Sequence, residues 1–432
     1  MKPRATTTTC ILLFLFSSCL QRGDVQLNGR VEGKDSVIIF RRDDREFRFR
    51  VTSNAFSGRI PLQESAYVHA HLLPSYRGIL LFLAPGEHLE ITVNATPAFP
   101  QFEGRLAAIN NYLAEQARYL PLRPGTTRKD EETFVKELEE QLRVRVLLLE
   151  AKNLGSAFTG IESERIGYLI AEYALRYAAA RARLHDSTRY RPGARLRDFI
   201  SRFPVDNEKM ADVREYLQFV LAYYTLETEQ HDNFRDVTAD IIARVTTRKI
   251  KEYLLSELVS ARVYREGLKD GDYLLSLCRQ EINDTSRLAK VERVAEGWRK
   301  LSAGTTAPDI VLRGPDGVDT RLREMRGSFL YIVANDSRRG SWPPDPAVSR
   351  AIKKHAGGNI RFLHLVFDPS MTFDRWKEYA GENDIPWEHF LIVNWREFHA
   401  SYLVSTFPRY ILIDPRGRVV TALASPGRVF SR

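Results

Sequence analysis

Three short runs limit what this chain can fold into. Phe329–Val333 (FLYIV), Ile360–Phe367 (IRFLHLVF) and Tyr410–Ile413 (YILI) are apolar on both sides of an extended chain. A strand with one wet face alternates polar and apolar residues. An unbroken apolar run predicts a strand covered on both faces, as in the parallel sheet of an α/β domain. Asn335–Ser341 is polar and ends in Gly340-Ser341, which breaks the first of these strands. Pro343, Pro344 and Pro346 then stiffen the approach to Ala347–His355, a predicted helix with Val348 and Ile352 on one side. The region 329–355 therefore reads as strand, turn and helix.

The flanking segments extend this pattern. Upstream, Ala307-Pro308-Asp309 opens a predicted hairpin, Asp316-Gly317 supplies its turn, and Arg326-Gly327 leads into the central strand. Downstream come Trp376, the Pro386-Trp387-Glu388-His389 stretch, Tyr402, and TFPRYILIDPRGRVV over 406–420. As a set these residues resemble the thioredoxin superfamily, in its peroxiredoxin and membrane-anchored thiol-disulfide oxidoreductase branches. The resemblance covers about the last 130 residues of the chain. It implies a thioredoxin-like α/β fold over 303–432, with Pro408 as a cis-proline facing the strand-turn-helix corner. Phe407, Pro408, Asp336 and Trp342 would then border a groove that offers backbone to a bound polypeptide.

Relatives carry Cys-x-x-Cys at that corner. Here Arg338 and Ser341 fall at the degenerate positions, and the only cysteines are Cys10, Cys19 and Cys278. Disulfide exchange and peroxide reduction both need a thiolate. The resemblance therefore implies a redox-inactive domain with no catalytic residue. The competing class is a thiol-disulfide oxidoreductase or antioxidant protein by similarity, disfavoured by the missing cysteines. Relatives also close with a helix, whereas SPGRVFSR is too short and too rich in Pro and Gly to form one. Several hundred Å² of uncovered apolar sheet would cost roughly 10 kcal/mol, at about 25 cal/mol per Å². The helical region or the β-domain upstream is expected to cover it.

At 432 residues and 44% hydrophobic composition, two or three domains are expected. Residues 1–19 read as an export signal: Lys2 and Arg4 precede the apolar core Cys10–Phe16, and Phe16-Ser17-Ser18-Cys19 resembles a bacterial lipobox. The core is too short for the roughly 20 residues that span a bilayer. Cys19 is the predicted lipidation site. This places the protein in the cell envelope on a lipid anchor, with the outer membrane and its periplasmic side favoured by family resemblance.

Residues 24–97 show period-two alternation, as in Phe47, Phe49 and Val51 against Arg48 and Arg50, and in Leu89, Ile91 and Val93 against Glu90 and Thr92. Six or seven short strands with one wet face predict a small β-sandwich. Asn54-Ala55-Phe56, Ile60-Pro61 and Leu83–Glu87 resemble the domain that precedes thioredoxin modules in lipoproteins of Bacteroidota. Residues 103–301 read as helical: Phe134, Leu138, Leu142, Val146 and Leu149 share a face, and Thr159 with Glu162 fits a capping box. Further helices are predicted around Val213–Leu226, Ile250–Tyr264 and Arg287–Leu301.

Other chemistry is sparse. His69 and His71 lie two apart on one strand face without a carboxylate or cysteine partner, so they read as ordinary strand residues and no metal site is predicted. Cys278, among Leu274, Leu275 and Leu277, reads as a buried inert thiol. Six arginines between Arg181 and Arg197 read as a solvated helix end, with contact to anionic headgroups or an acidic partner as the sharper reading. The net charge of +9 is moderate, no phosphate-binding, zinc or nucleophile-elbow motif occurs, and no cofactor is expected. Export makes nucleic acid an unsuitable partner; a membrane and a polypeptide are the expected ones, with no signal for oligomeric state. Metabolic labelling with a clickable fatty acid is expected to mark the wild type and not Cys19→Ala; equal labelling of both would remove the anchor.

Overall fold

The computed structural model describes residues 23–42, 45–95, 99–117, 129–184, 190–230, 233–339, 346–355, 358–368, 370–382 and 387–425. Cys10, Cys19, Ser341 and Trp342 lie outside these. The chain forms two compact units that meet in sequence at Leu226/Glu227. A β-sheet region comes first, helices occupy the middle, and a further sheet closes the chain.

The first unit begins with β1 (Asp24–Val31), β2 (Val37–Arg42), β3 (Arg45–Arg50), β4 (Ala55–Pro61), β5 (Ala66–Leu73), β6 (Gly78–Leu83), β7 (His88–Val93) and β8 (Gln101–Glu103). Two four-stranded sheets result, ordered β4-β1-β7-β8 and β3-β2-β5-β6. Val25, Leu27, Ile38, Phe40, Val68, Leu72, Leu89 and Ile91 from both sheets share one core. Alternation produces it, since every second side chain of β1 and β7 is buried. Seven strands fall within 24–97, and Phe102 adds a short eighth beyond it, against Ile91.

The expectation of a wet outer face fails on β5, where Tyr67 is buried as well as Val68. Helices take that face. α1 (Ala107–Gln116) follows β8, and Asn110 closes the open edge of β6 by accepting from Phe82 N at 2.8 Å and donating to Phe82 O at 3.0 Å. α2 (Glu131–Ala151) starts at the Asp130 cap, whose carboxylate takes the Thr133 N–H. α3 (Ser156–Leu184), α4 (Ala194–Ser201) and α5 (Arg214–Gln230) complete the layer. Phe158 of α3 stands edge-on to Phe82, with ring centroids 5.0 Å apart.

The capping box expected at Thr159 and Glu162 is not formed. α3 begins three residues earlier, where Gly155 at φ 88° turns the chain and its carbonyl takes the Thr159 N–H. Glu162 is instead fully buried. It accepts from Tyr67 Oη at 2.6 Å and from Arg165 Nε and Nη2 at 2.7 and 2.8 Å, while Arg165 Nη1 reaches Glu215 Oε1 at 2.6 Å.

The second unit carries α6 (Phe234–Arg244), α7 (Arg248–Glu266), α8 (Gly271–Glu281) and α9 (Thr285–Arg299), then β9 (Val311–Arg313), β10 (Asp319–Arg321), β11 (Phe329–Asp336), α10 (Pro346–His355), β12 (Ile360–Phe367), α11 (Phe373–Glu382), β13 (Glu388–Ile392), α12 (Trp395–Ser401), β14 (Arg409–Ile413) and β15 (Val419–Thr421). The sheet order is β10-β9-β13-β12-β11-β14-β15. β11, β12 and β13 are parallel, β14 runs against β11, and β15 runs against β14. Tyr402 donates its hydroxyl to Pro308 O at 2.7 Å, and Asp309 accepts from Arg323 N at 3.1 Å, which ties the opening motif to the sheet. Gly417, at φ 77°, makes the last turn, which Asp414 caps by accepting from Arg416 N and Arg418 N.

Both sheet faces are covered, by different layers. Tyr331, Val333, Tyr410 and Leu412 pack with Val348 and Ala351 of α10, and Ala424 leans on the same cluster. Arg409, Ile411 and Ile413 alternate to the other face. There Arg409 lies under Trp298 of α9, 5.4 Å from the ring centroid, and donates to Leu403 O at 2.7 Å. Gly297 of α9 packs on Leu403, where an added Cβ would sit 3.0 Å from a methyl. The upstream helices thus cover the α12 side rather than the face that holds α10.

Removing α7–α9 would uncover Trp298's partners and leave the Arg409 guanidinium, only 4% exposed, without its cover. Residues 303–432 expressed alone are expected to aggregate or bind a hydrophobic dye, and residues 227–432 to unfold cooperatively without dye binding. A soluble, dye-negative 303–432 fragment would show that the sheet needs no such layer.

Candidate functional site

The corner after β11 is where the sequence places the degenerate motif. The polar residues Asn335 and Asp336, expected to end the strand, continue it. They pair with Val366 and Phe367 of β12, and both are buried at 2% exposure. The chain then makes a short helical turn at Ser337–Arg339. Asp336 accepts from Arg338 N at 3.1 Å, Nε at 2.9 Å and Nη2 at 2.9 Å. This is a two-pronged pair of the kind that fixes a guanidinium in one plane. The pairing raises the Arg338 pKa above its ordinary value.

That plane lies over Phe367, with the guanidinium carbon 5.1 Å from the ring centroid. Phe367 also stacks on Phe407, centroids 5.5 Å apart at 11°. Phe407 precedes Pro408 through a cis peptide bond. His399 stands edge-on to both rings, at 4.9 Å from Phe367 and 5.5 Å from Phe407, and Trp395 meets Phe367 at 5.5 Å. Of the sequence-selected residues, Asp336, Arg338, Phe407 and Pro408 therefore come together around Phe367. Ser341 and Trp342 lie outside the described residues.

Phe367, Trp395 and His399 were not selected from the sequence. The available signal was the i, i+4 spacing of Trp395 and His399, which puts both on one face of a helix. Burial lowers the His399 pKa, partly offset by a hydrogen bond to the Val404 backbone and by the Asp336 charge. At the rim, Asp368 accepts from Ser337 Oγ at 2.7 Å and Ser370 Oγ at 2.6 Å. Burial pushes its carboxyl up, but these bonds and Arg338 hold it below the usual range. The arrangement is an aromatic floor with one fixed cation and a polar rim. It offers stacking and hydrogen bonding.

Other candidates resolve as packing. Cys278 is fully buried in α8, and burial pushes its thiol up to about 12. His69 is held near 4, chiefly by burial. Among the described residues, no group of three or more His, Cys, Asp or Glu could hold a metal ion, and no helix is long and apolar enough to cross a membrane. Within the arginine cluster, Arg195 pairs with Glu132 and Glu139 of α2, and Arg181 lies over Tyr177.

The sheet order, with a cis-proline beside the strand-to-helix corner, is that of a thioredoxin-like domain. No protein-family model and no curated protein matches the chain. Among solved structures it is similar to a candidate thiol-disulfide oxidoreductase from Bacteroides vulgatus, at 25% identity over 30% of this chain and 90% of that one, TM-score 0.26. It is also similar to the thioredoxin domain of a thiol-disulfide oxidoreductase from the same organism (20%, 28% and 87%, TM-score 0.24) and to a candidate thiol:disulfide interchange protein from Chlorobium tepidum (21%, 28% and 83%, TM-score 0.24).

Beneath the site, on the opposite face of β12, His364 and His389 meet with Nδ1 atoms 3.1 Å apart. Burial, then the neighbouring His389, lowers the His364 pKa to about 3. A histidine that stays neutral when folded binds its proton only on unfolding. Its stabilisation is complete above about pH 6.5 and is lost towards pH 3, at about 1.4 kcal/mol per pH unit. Urea titrations of wild type and His364→Leu are expected to diverge in slope across that window, with the wild type losing more. Parallel curves would show that His364 is protonated in the native state.

Proposed function

We propose that this chain is an envelope lipoprotein, anchored through Cys19 and facing the periplasm, whose thioredoxin-like domain binds an extended polypeptide and exchanges no disulfides. One observation carries the reading. Arg338, at the degenerate first motif position, is clamped by buried Asp336 and laid over Phe367 beside cis-Pro408. A fixed guanidinium over an aromatic floor binds carbonyls and side chains, and does not attack sulfur. Phe407, Trp395 and His399 widen the floor to several residues of an extended ligand. The second class is a thiol-disulfide oxidoreductase, as the structural neighbours are named. The sequence has no cysteine after Cys278 to support it.

Two measurements separate the classes. Insulin reduction by the purified chain is expected to stay at background, and turnover would falsify the binding-only reading. Selection from a displayed library of extended peptides is expected to yield binders that lose about tenfold or more in affinity against Trp395→Ala, as for removal of a buried aromatic anchor. Binders indifferent to Trp395→Ala and Arg338→Ala would place recognition elsewhere.

A further inference from the structure

α2 is apolar on two sides. Phe134, Leu138 and Leu149 are buried, as a helix docked on its own fold requires. Val144, Leu147 and Leu148 point the other way and remain 38%, 51% and 48% exposed, with Ala151 exposed beside them. The spacing is i, i+3, i+4, i+7, a continuous seam along two turns of helix. Single exposed leucines are ordinary, whereas a seam at helical spacing is a surface for another helix.

We infer that this seam pairs with α2 of a second copy of the chain, antiparallel about a two-fold axis. The charges at its border argue for that occupant. Setting Val144 against the partner's Leu147 places the axis between residues 145 and 146, since each contact is repeated in reverse. Arg143 then lies beside the partner's Glu150, and Glu150 beside the partner's Arg143, both pairs on one flank of the seam because the two residues are seven apart. Arg143 is exposed and otherwise joined only to Glu140 of its own helix, at 2.6 Å, and Glu150 has no ion pair among the described residues. The border charges are thus complementary to a second, antiparallel copy of the same helix. Exposed Glu140 and Glu150 also disfavour an anionic membrane as the occupant. One helix pair buries less than the roughly 1,200 Å² of a standard interface, so the association is weak and concentration-dependent.

Sedimentation equilibrium of the purified full chain tests this, with far-UV circular dichroism to verify each fold. The wild type is expected to show a concentration-dependent dimer and Leu147→Gln a monomer. Arg143→Glu is expected to weaken the dimer about tenfold, from two attractive pairs turned repulsive, and Arg143→Glu with Glu150→Arg to restore it. A wild-type monomer throughout, a dimer indifferent to Leu147→Gln, or a charge swap that fails to restore pairing would each overturn the inference. So would binding to anionic phosphatidylglycerol vesicles through Leu147 in place of self-association.

Discussion

Everything in the second unit follows from one strand that has no solvent-facing side. Leu330 through Asp336 of β11 are all buried, with neighbours β12 and β14 hydrogen-bonded along its length. A strand of that kind cannot exist at an edge or on a one-layer sheet. It forces α10 onto one face and α12, with α9 behind it, onto the other. It also fixes the corner that follows it. Asp336, the last buried residue of the strand, takes its carboxylate out of water, and a buried carboxylate needs a cation or strong donors. Arg338 supplies them two residues later. The Asp336–Arg338 geometry at the corner is therefore a consequence of how far β11 runs.

The first unit solves a related problem with a buried ion cluster. The outer face of β5 carries Tyr67, and α3 and α5 bring Arg165 between Glu162 and Glu215. Burial alone would lower the Arg165 pKa, but the two carboxylates hold it well above its ordinary value. Desolvating three charges offsets much of their mutual attraction, so the cluster adds little net stability. Removing one member is another matter, costing about 3–5 kcal/mol by leaving a charge uncompensated. The cluster acts chiefly as a constraint on which helix turns face the sheet.

Most of the fold was legible because it depends on local periodicity. The alternation in β1 and β7, the two-sided runs of β11, β12 and β14, and the Asp316-Gly317 turn are each signals a few residues long. What was not legible involved partners distant in sequence. Glu162 looks like a cap residue until Tyr67, 95 residues earlier, and Arg165 claim its carboxylate. Asn335 and Asp336 look like a turn until β12 supplies ladder partners. Phe367, Trp395 and His399 converge only because a parallel strand end and a short helix meet at Phe407.

The corner's electrostatics also bear on what a thiol at position 338 would meet. Thiol chemistry at neutral pH needs a thiolate, and a thiolate needs nearby positive charge or hydrogen-bond donors. Among the described residues, the charges that meet position 338 are carboxylates, Asp336 buried beneath it and Asp368 at the rim, with Arg338 itself the compensating cation. A cysteine in place of Arg338 would remove that cation and face both acids. Like-charge repulsion raises a thiol pKa, and the buried Asp336 would be left without its partner. The charges of Asp336 and Asp368 thus suit a guanidinium at position 338 and would oppose a thiolate there.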